Sequence, residues 1–105
     1  MPIVIVHTDG STEALGGGSG VPLGIVRPLE RSLTHATVEP GAMVILVTDG
    51  VVESRTHDLD EGIARLQQRA SELRGLPLDE LVVALAELSD QSLRDDVTVV
   101  AARRR

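Results

Sequence analysis

Asp49 closes a run of apolar residues, Met43-Val44-Ile45-Leu46-Val47, and Asp95-Asp96 opens another, Val97-Thr98-Val99-Val100-Ala101-Ala102. A carboxylate at the end of a buried strand costs several kcal/mol to desolvate unless a cation or a hydrogen-bond donor meets it. Ligation of a hard cation by oxygen is therefore the chemistry these positions suggest. Taken singly, each motif has a plainer explanation. An Asp-Gly such as Asp49-Gly50 commonly caps a turn, and an acidic pair before an edge strand is commonly solvated. Because neighbouring strand residues point to opposite faces, one of Asp95 and Asp96 can face a metal while the other faces away or orients a neighbour. Glu53 follows Asp49 by one helical turn and can share its face, although a glutamate there more often pairs with Arg55 or with water than with a metal. Cysteine is absent, so any hydrolysis needs a metal or a hydroxyl. His7, His35 and His57 are scattered at no metal-binding spacing.

The elements that must position these carboxylates follow from apolar pattern and turn chemistry. Val44 to Val47 lack polar alternation and read as a strand buried on both faces. Ile3-Val4-Ile5-Val6-His7 reads as a short apolar strand, Thr8-Asp9-Gly10-Ser11 as a tight turn and residues 12–15 as the return strand. A buried-looking strand so near the first residue has nothing before it to cover it, so the chain is expected to begin in mid-domain. Gly16-Gly17-Gly18-Ser19-Gly20 lacks the Lys-Ser/Thr ending of a phosphate-binding loop and is taken as structural. Residues 33–38 tolerate β structure, and Glu39-Pro40-Gly41 then places Pro and Gly at the centre of a type II turn leading into the core strand. Residues 50–55 are expected to form one irregular helical turn. From Asp60 onward, Ile63, Leu66, Ala70 and Leu73 recur at helical spacing until Arg74-Gly75 and Pro77. A second helix is expected over residues 77–88, with Leu78, Leu81, Val82, Leu85 and Leu88 as its apolar stripe. A last buried strand follows over residues 97–102. Hairpin-rich β structure with two helices on one face is an α+β arrangement.

At 105 residues the chain is at most one domain, and a domain of this size buries only about 60–65% of its unfolded surface. With no aromatic residue, the core must be built from Val, Leu, Ile, Ala and Met. The formal charge of −6 disfavours a nucleic-acid backbone as partner, and Arg103-Arg104-Arg105 is read as a solvated tail. No apolar run approaches the ~20 residues of a membrane span and no signal-type start is present, so neither a membrane nor export is expected and the protein is placed in the cytoplasm.

The block Pro40-Gly41-Ala42-Met43 leading into Thr48-Asp49-Gly50-Val51-Val52-Glu53-Ser54-Arg55 resembles the signature of the metal-dependent (PPM-type) protein phosphatases, in the bacterial sporulation stage II protein E (SpoIIE-like) branch. Val21-Pro22-Leu23-Gly24 after the glycines is similar to that branch's Gly-x-Pro-Leu-Gly element, and Asp95-Asp96 before Val97-Thr98 resembles its closing motif. Ala42 stands where the family is usually acidic, and Glu61-Gly62 where it usually shows Phe-Gly, with Ile63 the nearest apolar residue. The resemblance runs from about Ile3 to Arg104 and covers only the C-terminal half of the family's domain. It implies half of an α-β-β-α sandwich and a Ser/Thr phosphatase acting in bacterial signalling. It also implies two Mn²⁺ or Mg²⁺ ions that activate a water, and a phosphoprotein substrate such as an anti-sigma-factor antagonist. On this resemblance Asp49 and Asp95 are metal ligands, with Gly50, Glu53 and Asp96 behind them. Hard dications take about six oxygens each, so two ligands are too few, and the isolated chain is expected to be inactive without the N-terminal half or a second copy. Two other readings stay open: a non-catalytic interaction module of the same fold, and a simple acidic cation-binding domain.

Overall fold

The structure, a computed structural model, describes residues 2–15, 36–54, 58–89 and 96–105. The glycine run, the Val21-Pro22-Leu23-Gly24 element, His35, Arg55, His57 and Asp95 lie outside the described residues. The described elements are β1 (Ile3–Val6), β2 (Thr12–Leu15), β3 (Met43–Val47), α1 (Asp49–Val52), α2 (Leu59–Glu72), α3 (Leu78–Ala86) and β4 (Val99–Arg103). The strands form one sheet in the order β2-β1-β3-β4, with every neighbouring pair antiparallel. This is the α+β arrangement expected from the apolar pattern.

Register decides which residues meet the helices. Val4 lies opposite Ile45, and Ile45 opposite Ala101. With Val6, Met43, Val47 and Val99 they make one face, and α1, α2 and α3 cover it with Val51, Val52, Ile63, Leu66, Ala70, Leu81 and Leu85. Leu66, Leu81 and Leu85 are fully buried. Each contributes about 1.5–3 kcal/mol by leaving water, which is how a core without aromatics is held. The second face carries Ile3, Ile5, Val44, Leu46 and Val100, the alternate residues of the same registers. Ile5 is buried there, whereas Val100 is 51% exposed.

The β1–β2 connection is a three-residue loop. The Gly10 N–H donates to the His7 carbonyl at 3.0 Å and the His7 N–H to the Ser11 carbonyl at 2.8 Å. Only Gly10 in this loop has positive φ, +92°, so the Asp-Gly pair serves a type I turn with a glycine bulge, not a two-residue turn needing positive φ at both positions. At Glu39-Pro40-Gly41 the type II turn forms as expected: Gly41 has φ +93° and the Ala42 N–H donates to the Glu39 carbonyl at 3.0 Å.

Several local expectations shift. Residues 36–38 are not strand, and β3 is instead flanked by β1 and β4. Val44 and Leu46 are half-buried, so β3 is fully covered on one face only. The last strand begins at Val99, and as an edge strand it leaves Val100 and Ala102 exposed. α2 begins before Asp60 because the Asp58 carboxylate accepts from the Glu61 N–H at 2.8 Å and caps the helix. The arginine tail is not simply solvated. Arg103 Nη2 donates to the carbonyls of Arg74 at 3.0 Å and Leu76 at 3.2 Å, fastening the α2–α3 connection to the sheet, and Arg104 donates to the Val38 carbonyl. Among the described residues no helix is long and apolar enough to cross a membrane.

Candidate functional site

Pairing of β3 with β4 runs to Val47 opposite Val99, which sets the C-terminal end of β3 beside the N-terminal end of β4. Thr48 extends that pairing by one residue with its side chain. Its N–H donates to the Thr98 carbonyl at 3.1 Å, its hydroxyl donates to the Asp96 carbonyl at 2.8 Å, and the same oxygen accepts the Thr98 N–H at 2.9 Å. Threonine at the N-cap of a helix ordinarily turns its oxygen to the first-turn amides. Thr48 occupies the N-cap of α1 but makes no such bond, because its hydroxyl is committed across the strands. The residue immediately before Asp49 is thereby pinned to the backbone of Asp96.

Asp49 is the first residue of α1, not part of a turn ahead of it, and it is exposed. α1 ends at Val52, shorter than the 50–55 segment expected, and the Glu53 N–H closes it by donating to the Asp49 carbonyl at 2.8 Å. Gly50, Val51 and Val52 are buried, while Glu53 is half-buried one turn beyond Asp49. α1 is located by close contact with α2: a Cβ on Gly62 would lie 1.8 Å from the Val52 carbonyl oxygen. The Glu61-Gly62 pair therefore keeps the residue that matters sterically, and the adjacent Ile63 supplies the apolar contact to the core.

The fold thus brings the Asp49 end of β3 to the Asp96 end of β4, and Gly50 and Glu53 follow on α1. Asp95 lies outside the described residues. Among the described residues no group of three or more His, Asp or Glu side chains is placed to hold a metal ion. Two carboxylate-bearing strand ends suit a hard cation in donor type but do not complete its coordination. A shallow cleft of about 190 Å³ lined by Arg65, Gln68, Arg69, Glu72 and Leu88 lies on α2, away from these ends. It is smaller than the roughly 300 Å³ at which small-molecule sites begin. Sequence reasoning passed over Thr48, because nothing in a Thr-Asp-Gly string says that the hydroxyl bridges strands. It also passed over His7, which binds two carboxylates at the far end of the sheet.

Comparison with curated proteins and with solved structures gave no match. Comparison with protein families matched the chain to stage II sporulation protein E (SpoIIE) over residues 1–105. The match takes in both acidic strand ends and everything that positions them, and the chain belongs to the SpoIIE family of PPM-type phosphatases.

Proposed function

We propose that the chain is the C-terminal portion of a PPM-type serine/threonine protein phosphatase domain. It acts in the cytoplasm, in bacterial signalling, on phosphoserine or phosphothreonine of a protein substrate; an anti-sigma-factor antagonist is the substrate class the family suggests. The observation that carries this reading is the Thr48 hydroxyl, which joins the strand end bearing Asp49 to the one bearing Asp96 in a chain matched to the family throughout. Asp49 and Asp95 are the proposed metal ligands, with Gly50, Glu53 and Asp96 supporting them. When bound, Mn²⁺ or Mg²⁺, two ions in the complete domain, would lower the pKa of a water and neutralise charge on the phosphoryl oxygens. This chain's own part is to hold carboxylates at adjacent strand ends, on a helix anchored by Val51 and Val52.

Two aspartates fall well short of the about six oxygens each dication takes. The remaining ligands are assigned to an N-terminal half of the domain, with that half or a second copy lying on the second face of the sheet. The alternative, a non-catalytic interaction module, is favoured by that same face, where Val100 is 51% exposed. Hydrolysis of an aryl phosphate with Mn²⁺ separates the two. The 105-residue chain alone should show little or no turnover, and the chain joined to the upstream half should gain turnover that a chelator removes. An interaction module stays inactive in both forms. Chelator-sensitive turnover by the chain alone overturns the ligand-count argument.

A further inference from the structure

His7 sits at the opposite end of the sheet from Asp49, just past the pairing of Val6 with Met43, and the phosphatase reading makes no use of it. Its Nδ1 is 2.8 Å from Glu39 Oε2 and 3.0 Å from Oε1, and its Nε2 is 2.6 Å from Glu13 Oε2. Ionised carboxylates only accept hydrogen bonds. Both ring nitrogens must then carry hydrogen, a condition met by the imidazolium and by neither neutral tautomer, each of which turns a lone pair toward one of the glutamates.

We propose that His7 is a protonation-dependent latch that fastens the β1–β2 hairpin to the Glu39 turn leading into β3, closed when the ring is charged and open on one side when it is neutral. The groups around it are arranged for this. Glu13 reaches the ring from β2 and Glu39 from the turn. Asp9 in the loop accepts from the Ser11 N–H at 2.9 Å and the Ser11 hydroxyl at 2.6 Å. Among the described residues the nearby cations face elsewhere: the Arg74 guanidinium lies beside Gly10 and donates to the Ser71 carbonyl, and Arg104 donates to the Val38 carbonyl. Glu39 Oε1 also accepts the Thr8 N–H at 3.1 Å, so the latch is felt by one backbone amide of the hairpin. The remaining bonds of the turn do not involve His7. The Gly41 N–H donates to the Arg104 carbonyl at 2.8 Å, and the Arg104 N–H to the Ala42 carbonyl at 2.9 Å. Opening is therefore confined to the Glu39 side chain and the hairpin loop.

The hydrogen bonds to Glu39 and then Glu13 raise the His7 pKa above its ordinary 6.5, outweighing the cost of partial desolvation. The bond from His7 is in turn the main cause that lowers Glu39 below its ordinary 4.5. The histidine's contribution is complete below pH 6.5 and is lost as pH rises through the raised value. That of Glu39 is complete above pH 4.5 and is lost as pH falls through the lowered one. The latch is fully closed between those two ordinary values.

Nitrogen-15 NMR of the full chain, with the His7 ring assigned by difference from His7→Gln, tests this over about pH 4 to 9. Both ring nitrogens should be protonated at the acid end, with a midpoint above 6.5 that falls in Glu39→Gln and falls separately in Glu13→Gln. Through the same midpoint Thr8 should lose hydrogen-exchange protection while Gly41 keeps it. If Glu39→Gln does not fold, Glu13→Gln on the edge strand carries the test. A midpoint at or below 6.5, or one that neither substitution moves, overturns the latch.

Discussion

Replacing Gly62 by alanine tests the packing that locates the acidic helix α1. In an unhindered helix this substitution gains about 1 kcal/mol, because glycine is the poorer helix former. Here the new methyl would stand 1.8 Å from the Val52 carbonyl oxygen, 2.6 Å from its carbon and 3.1 Å from its Cα, all backbone atoms. An ordinary C···O contact is about 3.3 Å, so α1 and α2 must part by more than an ångström or the chain must bend. Overpacking of this kind costs about 1–3 kcal/mol. Parting the helices also uncovers Val51 and Val52, each 2% exposed, at up to about 1.5 kcal/mol apiece. After the helix-propensity gain is subtracted, Gly62→Ala should lose about 2 kcal/mol or more. Urea unfolding followed by far-ultraviolet circular dichroism measures it, with Gly75→Ala as the reference. Nothing lies within 4 Å of a Cβ at Gly75, so that variant should be neutral or gain a few tenths of a kcal/mol up to about 1. A Gly62→Ala chain as stable as the parent would refute the close approach of the two helices.

Thr48→Val should cost about 1–2 kcal/mol, since it strips the Asp96 carbonyl and the Thr98 N–H of their shared partner; Thr48→Ser should restore most of it, and urea midpoints decide. Asp49→Asn should leave the stability of the metal-free chain within about 0.5 kcal/mol because the side chain is exposed, while removing Mn²⁺ binding from the completed domain by calorimetry. A loss above ~2 kcal/mol would show that Asp49 is a structural residue. Arg103→Met keeps much of the side-chain stem but loses the donors to Arg74 and Leu76, and should destabilise by about 1 kcal/mol, with faster amide exchange in the α2–α3 connection.

The parts of the fold that were legible in the sequence are those governed by short-range rules. Asp9-Gly10 and Pro40-Gly41 fixed two turns, and the spacing of Ile63, Leu66 and Ala70 gave a helix whose buried face is the one observed. Burial on the sheet was less legible, because Val44 and Val100 look as apolar as Ile45 and their exposure depends on which neighbours each strand has. Of the candidate site, Asp49 and the Asp95-Asp96 pair stand out in the sequence by their position at the ends of apolar runs. The Thr48 bridge does not, since it joins segments far apart in the chain and depends on β4 lying next to β3. The His7 cluster had half a signal. His7 and Glu13 flank a recognisable hairpin turn, but Glu39 reaches the ring only through tertiary pairing of β1 with β3.

With four residues, α1 is far shorter than the roughly 12–15 at which a helix becomes even marginally stable alone in water. Asp49 is consequently expected to take its helical backbone late, as α2 docks and Gly62 seats against Val52. Substitutions at Val52 or Gly62 should accelerate unfolding far more than they slow folding, whereas those in the β1–β3 pairing should slow folding itself.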